Sequence, residues 1–401
     1  WQIVPKLKNI ISARKQYLYI IDFILNHPKI GFSTMNSDKV HQIALTLVPK
    51  VGPITARKLI AHCGSAEAVF QESRKGLLCI PGIGRTMTDS ILAGNLISKA
   101  EQEIRFMEKN KIKALYFMDP SYPFRLRECA DAPLILYLKG KANLNARFVL
   151  SVVGTRNASD YGREMTESLL RDLSSLDDLL VISGLAYGID IEAHKACLKY
   201  KIPTIGVLAH GLDRIYPSMH QKVAEQMMEN GAIASDFISG TKPERENFPK
   251  RNRIIAGFSD ASLVVEAFKR GGALITASIA NSYSRDVFAI PGRTYDKSSA
   301  GCNRLIRNNQ AALIQNAEDL CYLMDWKADA INKAHKQSNI DMNLTKQEKM
   351  ILEIIPERDK CSMDRILIKS RCEPSLVMEI LLGLELKGLV KALAGNQYAK
   401  S

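Results

Sequence analysis

The stretch Phe148-Val149-Leu150-Ser151-Val152-Val153, running straight into Gly154-Thr155-Arg156, decides how the middle of this chain is read. It is a near-continuous apolar run that ends in a glycine turn, the pattern of a strand buried on both faces. Similar runs follow at Leu179–Ser183, Thr204–Leu208, Ala232–Asp236, Ser262–Glu266 and Asp286–Ile290, with helical segments between them. Strands alternating with helices predict a mostly parallel sheet covered on both sides, a Rossmann-like doubly wound α/β fold over residues 147–325. In such a fold, ligands bind beyond the carboxyl ends of the strands.

The loops at those ends carry the unusual chemistry. The first strand runs into Gly154-Thr155-Arg156 and the second into Ser183-Gly184-Leu185-Ala186-Tyr187-Gly188-Ile189-Asp190. The third ends in Ala209-His210-Gly211-Leu212-Asp213-Arg214, and the fifth leads to Gly271-Gly272-Ala273-Leu274-Ile275-Thr276. Glycine lets backbone approach a ligand closely, and free N–H groups at helix starts favour anions. Asn247-Phe248-Pro249-Lys250-Arg251-Asn252-Arg253 adds a dense cation cluster. Pro249 predicts a helix start nearby, which puts the cations in the opening turn, where they oppose the helix dipole and suit a bound phosphate. A solvated charge run is the plain alternative. Arg156 and Lys250 to Arg253 are expected to converge on one phosphate-binding edge. Phe248 is either a core aromatic or a platform for a stacked base.

The net charge of +13 over 401 residues favours polyanionic partners. It does not locate the site, because residues 147–325 carry as many Lys and Arg as Asp and Glu. The eight cysteines form no C-x-x-C pair and no zinc-ligand spacing, which points to a reduced cytoplasmic protein without a structural metal or cofactor. No apolar run is long enough to span a membrane. There is no G-x-x-x-x-G-K-[ST] and no G-x-G-x-x-G, so a P-loop ATPase and a dinucleotide site are both disfavoured. His194 and His210 have no evident catalytic partner. Asp190 and Asp213 read as helix caps or as carboxylates that orient loop amides and arginines.

The flanks divide further. Met35-Asn36-Ser37-Asp38 resembles a natural start, so residues 1–34 are expected to be a non-native or upstream extension. Residues 36–97 read as short helices punctuated by Val48-Pro49-Lys50-Val51-Gly52 and Ile80-Pro81-Gly82-Ile83-Gly84. These resemble helix-hairpin-helix units, in which Gly52, Gly82 and Gly84 are candidate duplex contacts; the alternative is a helical docking domain. Residues 98–146 read as a connector to the core, and 326–343 as a polar linker. Residues 344–401 suggest three helices and a two-stranded wing, a winged-helix-like unit. Its third helix carries Glu379 and Glu385 and no cation before Lys387, which favours a protein-contact role over groove reading.

Taken in order, these loops closely resemble the DNA-processing protein A (DprA/Smf) family. The likeness rests on Tyr122-Pro123, Pro133 to Gly140, Gly154-Thr155-Arg156, Ser183 to Asp190, Gly211 to Pro217, Phe248 to Gly257, Leu274-Ile275-Thr276-Ala277 and Val287 to Gly292, and extends to Gly301-Cys302-Asn303-Arg304. The resemblance implies a non-enzymatic protein that binds single-stranded DNA, dimerises through the Rossmann-like domain and loads the RecA recombinase in natural transformation and homologous recombination. It implies strand contacts from Arg156, Lys250, Arg251, Asn252 and Arg253 and from the Gly154, Gly184, Gly271 and Gly272 backbones, with Phe248 stacking. Thr155, Ser183 and Thr276 are further candidates in the same loops. Ala209-His210 stands where many members have Gly-Cys, and Ser284 where glycine is usual. The competing readings are a phosphoribohydrolase-like enzyme and a small-nucleotide module. Gly271 to Thr276 superficially resembles the enzyme signature, but Ser278 to Ala280 supplies no carboxylate.

Overall fold

The computed structural model describes residues 35–326, 345–356, 361–370, 372–387, 389–393 and 397–400. The extension expected at 1–34 and nearly all of the linker expected at 326–343 lie outside them. The described chain falls into two units, divided between Ala334 and His335.

The first unit opens with six helices: α1 (Met35–Thr46), α2 (Pro53–Cys63), α3 (Ala66–Gln71), α4 (Arg74–Cys79), α5 (Arg85–Leu92) and α6 (Asn95–Asn110). Gly52 and Gly84 stand at the N-caps of α2 and α5, and Gly82 makes its turn at φ +86°. The chain then enters the sheet through β1 (Lys113–Tyr116), α7 (Phe124–Arg127) and β2 (Ile135–Gly140). Next come β3 (Phe148–Val153), α8 (Asp160–Leu173), β4 (Leu179–Ser183), α9 (Ile189–Lys199), β5 (Thr204–Val207), α10 (Gln221–Asn230) and β6 (Ala232–Ser235). The rest is α11 (Asn247–Phe258), β7 (Ala261–Val264), α12 (Gly272–Ser282), β8 (Asp286–Ala289), α13 (Ala300–Arg307), β9 (Ala312–Leu313) and α14 (Ala317–Leu323).

These strands form one nine-stranded sheet in the order β1-β2-β6-β5-β4-β3-β7-β8-β9. From β6 to β9 all pairs are parallel, while β1 and β2 extend the edge antiparallel. The chain thus winds outward from β3 through β4 and β5, then returns to place β7 on the other side of β3. The strand order reverses between β3 and β7, and that reversal leaves a crevice at their carboxyl ends. Across the seam, the buried Ser151 and Ser262 hydroxyls, 111 residues apart in sequence, bond at 2.7 Å.

Both faces are covered, as the apolar runs predict. Val149 and Val153 of β3 pack with Ile254, Phe258 and Ala277 of α11 and α12. Phe148, Leu150 and Val152 face the other way, toward Leu169, Leu173 and Cys197 of α8 and α9. Alternation along one strand therefore serves two separate cores. Residues 98–146, read as a connector, supply two strands and a short helix to this body. Tyr116, Ile135 and Tyr137 share a core with Ile43, Leu59 and Ile91 of the N-terminal helices. Trp326, the first residue assigned to the linker, is buried with its ring centroid 5.0 Å from that of Phe148. Tyr122 is fully buried and donates to the Pro133 carbonyl at 2.8 Å. Tyr122→Phe removes that donor from a buried acceptor and should lower stability by about 1–2 kcal/mol in urea unfolding.

The second unit contains α15 (Lys346–Ile354), β10 (Cys361–Ser362), α16 (Met363–Ser370), α17 (Pro374–Leu386), β11 (Val390–Leu393) and β12 (Gln397–Lys400). A capping box of Thr345 and Glu348 starts α15, and β12 lies between β10 and β11 as the wing. Ile351, Ile366, Val377, Leu381 and Leu384 close its core, giving a winged-helix unit.

Candidate functional site

The crevice at the β3/β7 reversal holds a groove of about 320 Å³. Its walls come from the loops after β3, β4 and β7 and from α11. Gly154, Thr155 and Arg156 form one side, Gly271, Gly272 and Thr276 the other, and Phe248, Arg251 and Asn252 line it from α11. The sheet topology therefore brings together nine of the thirteen candidate strand contacts.

Helix phase sorts the cation cluster. The helix starts at Asn247, two residues before Pro249, so Lys250 closes its first turn and Arg251 and Arg253 sit in the second. Phe248, Arg251, Asn252 and Ile255 follow the i, i+3, i+4, i+7 rule and face the groove. Lys250 and Arg253 point elsewhere. Arg253 donates to Asp236 at 2.5 Å and to the Asp131 carbonyl, with 15% of its side chain exposed. The expected convergence thus stops short of Arg253, whose guanidinium is already engaged. Lys250 is exposed at the flank, near enough to Asp236 to favour its ionised form. Ser183 is also withdrawn: its hydroxyl is fully buried and donates to the Val152 carbonyl at 2.6 Å.

Arg251 is the electrostatic centre. It is 4% exposed and donates to the carbonyls of Gly184, at 2.6 Å, and Val207. Burial pulls its pKa down to about 10; Asp190 counters that fall and Arg156 adds to it. Asp190 is buried as well, and burial raises its carboxyl against the opposing pull of Arg251 and of the Ala186 and Gly184 amides. A Cβ on Gly184 would lie 2.5 Å from the Arg251 guanidinium and 2.6 Å from the Asp190 carboxylate, so only glycine fits between them. Asp213 accepts from the Gly240 amide and from Arg214, so both aspartates orient loops as their positions suggested.

Arg156 is the exposed counterpart. Its guanidinium lies 5.0 Å from the Phe248 ring centroid, and that of Arg251 lies 5.9 Å away. Phe248 is half-buried between two cations, so its role as core aromatic is only partial. A side chain flanked by cations on an open wall suits a base stacked beside its phosphate. Asn252 ties the wall together, accepting from Arg251 at 3.1 Å and donating to the Gly272 carbonyl at 3.4 Å.

Some lining residues carried no motif in the sequence. Phe268 and Arg270 border the groove, both exposed, just ahead of the Gly271-Gly272 turn. The Lys269-Arg270 pair before two glycines was the available signal. Gly52, Gly82 and Gly84 lie in the helical region and do not line this groove. His194 is fully buried; its Nδ1 bonds Thr204 at 2.8 Å, and burial drops its pKa to about 3. Among the described residues no group of three or more His, Cys, Asp or Glu could hold a metal, and no helix is long and apolar enough to cross a membrane.

Comparison with known proteins finds matches in both units. A family model described as DNA recombination-mediator protein A matches residues 113–325, and one described as DprA winged helix domain matches 336–396. The chain is 36% identical over 297 residues to Protein Smf of Synechocystis sp., covering 72% of this chain and 73% of that one. It is 34% identical over 252 residues to DNA processing protein DprA of Streptococcus pneumoniae, covering 59% and 88%. The X-ray structure of the Streptococcus pneumoniae protein aligns with a TM-score of 0.60 at 30% identity, over 72% of this chain and 98% of that chain.

Proposed function

We propose, because this chain belongs to the DNA recombination-mediator protein A family, that its groove grips single-stranded DNA without cutting or modifying it. The observation that carries this reading is the convergence of Arg156, Arg251, Arg270 and Phe248 with two glycine loops at the β3/β7 reversal. Arg156, Arg270 and loop amides hold consecutive phosphates, Arg251 adds buried positive charge behind them, and Phe248 stacks a base, an arrangement that tolerates any sequence. Asn252, Thr155, Thr276 and the Gly154, Gly271 and Gly272 backbones shape the wall, and Lys250 adds charge at the flank.

The protein then acts in the cytoplasm as a homodimer through the Rossmann-like domain and hands the strand to RecA recombinase. A second groove in the dimer makes the next capture intramolecular and raises avidity. An enzymatic alternative needs a free carboxylate at the ligand. The acid in this groove is Asp190, buried, hydrogen-bonded by loop amides and faced by Arg251, which favours the binding reading.

The test is a salt series with labelled oligo-dT. Arg156→Ala/Lys250→Ala should weaken binding and flatten the slope of log K against log salt by about 0.7 per lost phosphate contact. If wild type binds oligo-dT no better than the double variant and affinity does not grow with length, the groove serves a smaller nucleotide. Turnover of nucleoside monophosphates would instead favour the enzyme.

A further inference from the structure

The groove is short for its ligand. Single-strand binding folds engage on the order of 4–16 nucleotides, and a space of about 320 Å³ encloses only a small part of such a length. The rest of the strand lies on the surface onto which the groove opens. One side of that surface is the loop after β8. Strand β8 runs parallel beside β7, with Val264 opposite Ala289, so the loops that follow the two strands leave the sheet at the same edge. The β7 loop supplies groove wall at Phe268 and Arg270. Its neighbour is Pro291-Gly292-Arg293-Thr294-Tyr295-Asp296-Lys297, whose side chains do not line the groove.

That loop is firmly anchored. Asn303 of α13 brackets Gly292, accepting from its amide at 3.2 Å and donating to its carbonyl at 2.9 Å. Tyr161 of α8 donates to the Pro291 carbonyl at 2.8 Å. Helix α13 also fastens the two loops together. Its Gly301 amide donates to the Ala267 carbonyl at 2.7 Å, and a Cβ at Gly301 would lie 2.5 Å from the Phe268 oxygen. On this frame Tyr295 is 74% exposed, and Arg293 donates to its hydroxyl at 3.2 Å. Residues 267–272 and 291–299 carry Lys269, Arg270, Arg293 and Lys297 against Asp296 alone. Among the described residues none of these four cations is in an ion pair. Of the acids that flank them, Glu266 is buried and accepts from Ser159, and Asp160 pairs with Arg163 at 3.2 Å. Cations without carboxylates suit anions, and an exposed ring among them suits a flat apolar group; a single strand offers both in alternation. We infer that the loop after β8 is a second station on the path of the strand, where one base stacks on Tyr295 and the flanking phosphates meet Arg293 and Lys297. This inference rests on the groove being a single-strand site. It gives the strand a direction, out of the groove past Arg270 and across the β8 edge.

Affinity for oligo-dT and for an abasic strand of the same length, measured for wild type, Tyr295→Ala and Tyr295→Trp, tests it. On oligo-dT, Tyr295→Ala should bind about five- to tenfold more weakly than wild type. Tyr295→Trp should keep the affinity, and its emission, read against wild type, should be quenched as a base covers the indole. On the abasic strand, which has nothing to stack, the three proteins should bind alike. Arg293→Ala/Lys297→Ala should flatten the slope of log K against log salt by about 1.4 on both strands, two contacts at about 0.7 each. Equal affinity of Tyr295→Ala and wild type for oligo-dT, the same loss on both strands, an unchanged salt slope, or Tyr295→Trp emission unmoved at saturation would overturn the inference. Tyr295 stands clear of the core, and the Tyr295→Trp signal needs no truncated side chain, so misfolding does not blunt the test. If wild type binds neither strand, the single-strand reading itself fails; if wild type binds oligo-dT and Tyr295→Ala matches it, only the β8 station is lost.

Discussion

Arg251→Ala is expected to destabilise the protein by about 3–5 kcal/mol, because it strips the buried Asp190 of its facing cation and leaves two carbonyls without a donor. The lost packing of a fully buried guanidinium adds to this. The effect has a pH signature. Burial raises the Asp190 carboxyl above its ordinary value in the folded state, so the folded protein holds this proton more readily than the unfolded chain does. Stability from this group is present at low pH and declines as pH rises from the unfolded aspartate value, about 3.9, through the folded one. Without Arg251 the folded value climbs further. The deficit of the variant against wild type should therefore narrow as pH falls toward 3.9 and widen toward neutrality, in urea unfolding followed across pH. A deficit that does not change with pH would mean that the arginine matters for packing alone. Binding of oligo-dT should fall along with stability, so affinity must be measured where the variant remains folded.

Gly188→Ala carries a penalty of similar size from a different cause. Gly188 sits at φ +75° and ψ −129°, a region that side chains other than hydrogen rarely occupy. An added Cβ would lie within 2.7 Å of the Thr155 oxygen and of the Arg156 carbonyl carbon and oxygen. Those are backbone atoms and cannot swing aside as a side chain can. Strain and overpacking together should cost about 3–5 kcal/mol. The displaced segment is the one that carries Arg156, so the affinity for single strands should drop about tenfold in whatever protein still folds. Gly240→Ala is the control: φ is +80°, but nothing lies within 4 Å of its added Cβ. It should cost only the conformational penalty, about 1–2 kcal/mol, with binding unchanged. Equal losses in the two variants would show that the contact with Thr155 is not what makes Gly188 necessary.

Much of this was legible in the amino-acid order. A run such as Leu179–Ser183 has one sensible use, a strand covered on both faces, and its end fixes where the next glycine loop must lie. The groove followed from those ends, because parallel strands send their loops to a common edge. Side-chain direction was harder to read. Lys250 to Arg253 look alike in a line of text, yet the phase of α11 against the sheet decides which cations face the crevice, and Asp236 holds Arg253 away from it. Strand β2 was obscured for another reason. Ile135–Gly140 follows a proline-containing turn, and its partner β6 lies almost a hundred residues away, so local pattern gave no hint of the pairing. Phe268 and Arg270 owe their place to the loop after β7 and not to any motif of their own.

The hydroxyl pair between Ser151 and Ser262 has a bearing on synthesis. As the chain leaves the ribosome, β3 through β6 can pair early, and β1 and β2 can dock on β6 while the remainder is still being made. The neighbour of β3 on its other side arrives more than a hundred residues after it, at a loop-closure cost that grows only slowly with that distance. Every wall of the crevice that depends on β7 and α12 waits for that closure. A nascent chain that has built two thirds of its strands therefore has no crevice, and on the proposed reading capture waits until β7 and α12 have been made.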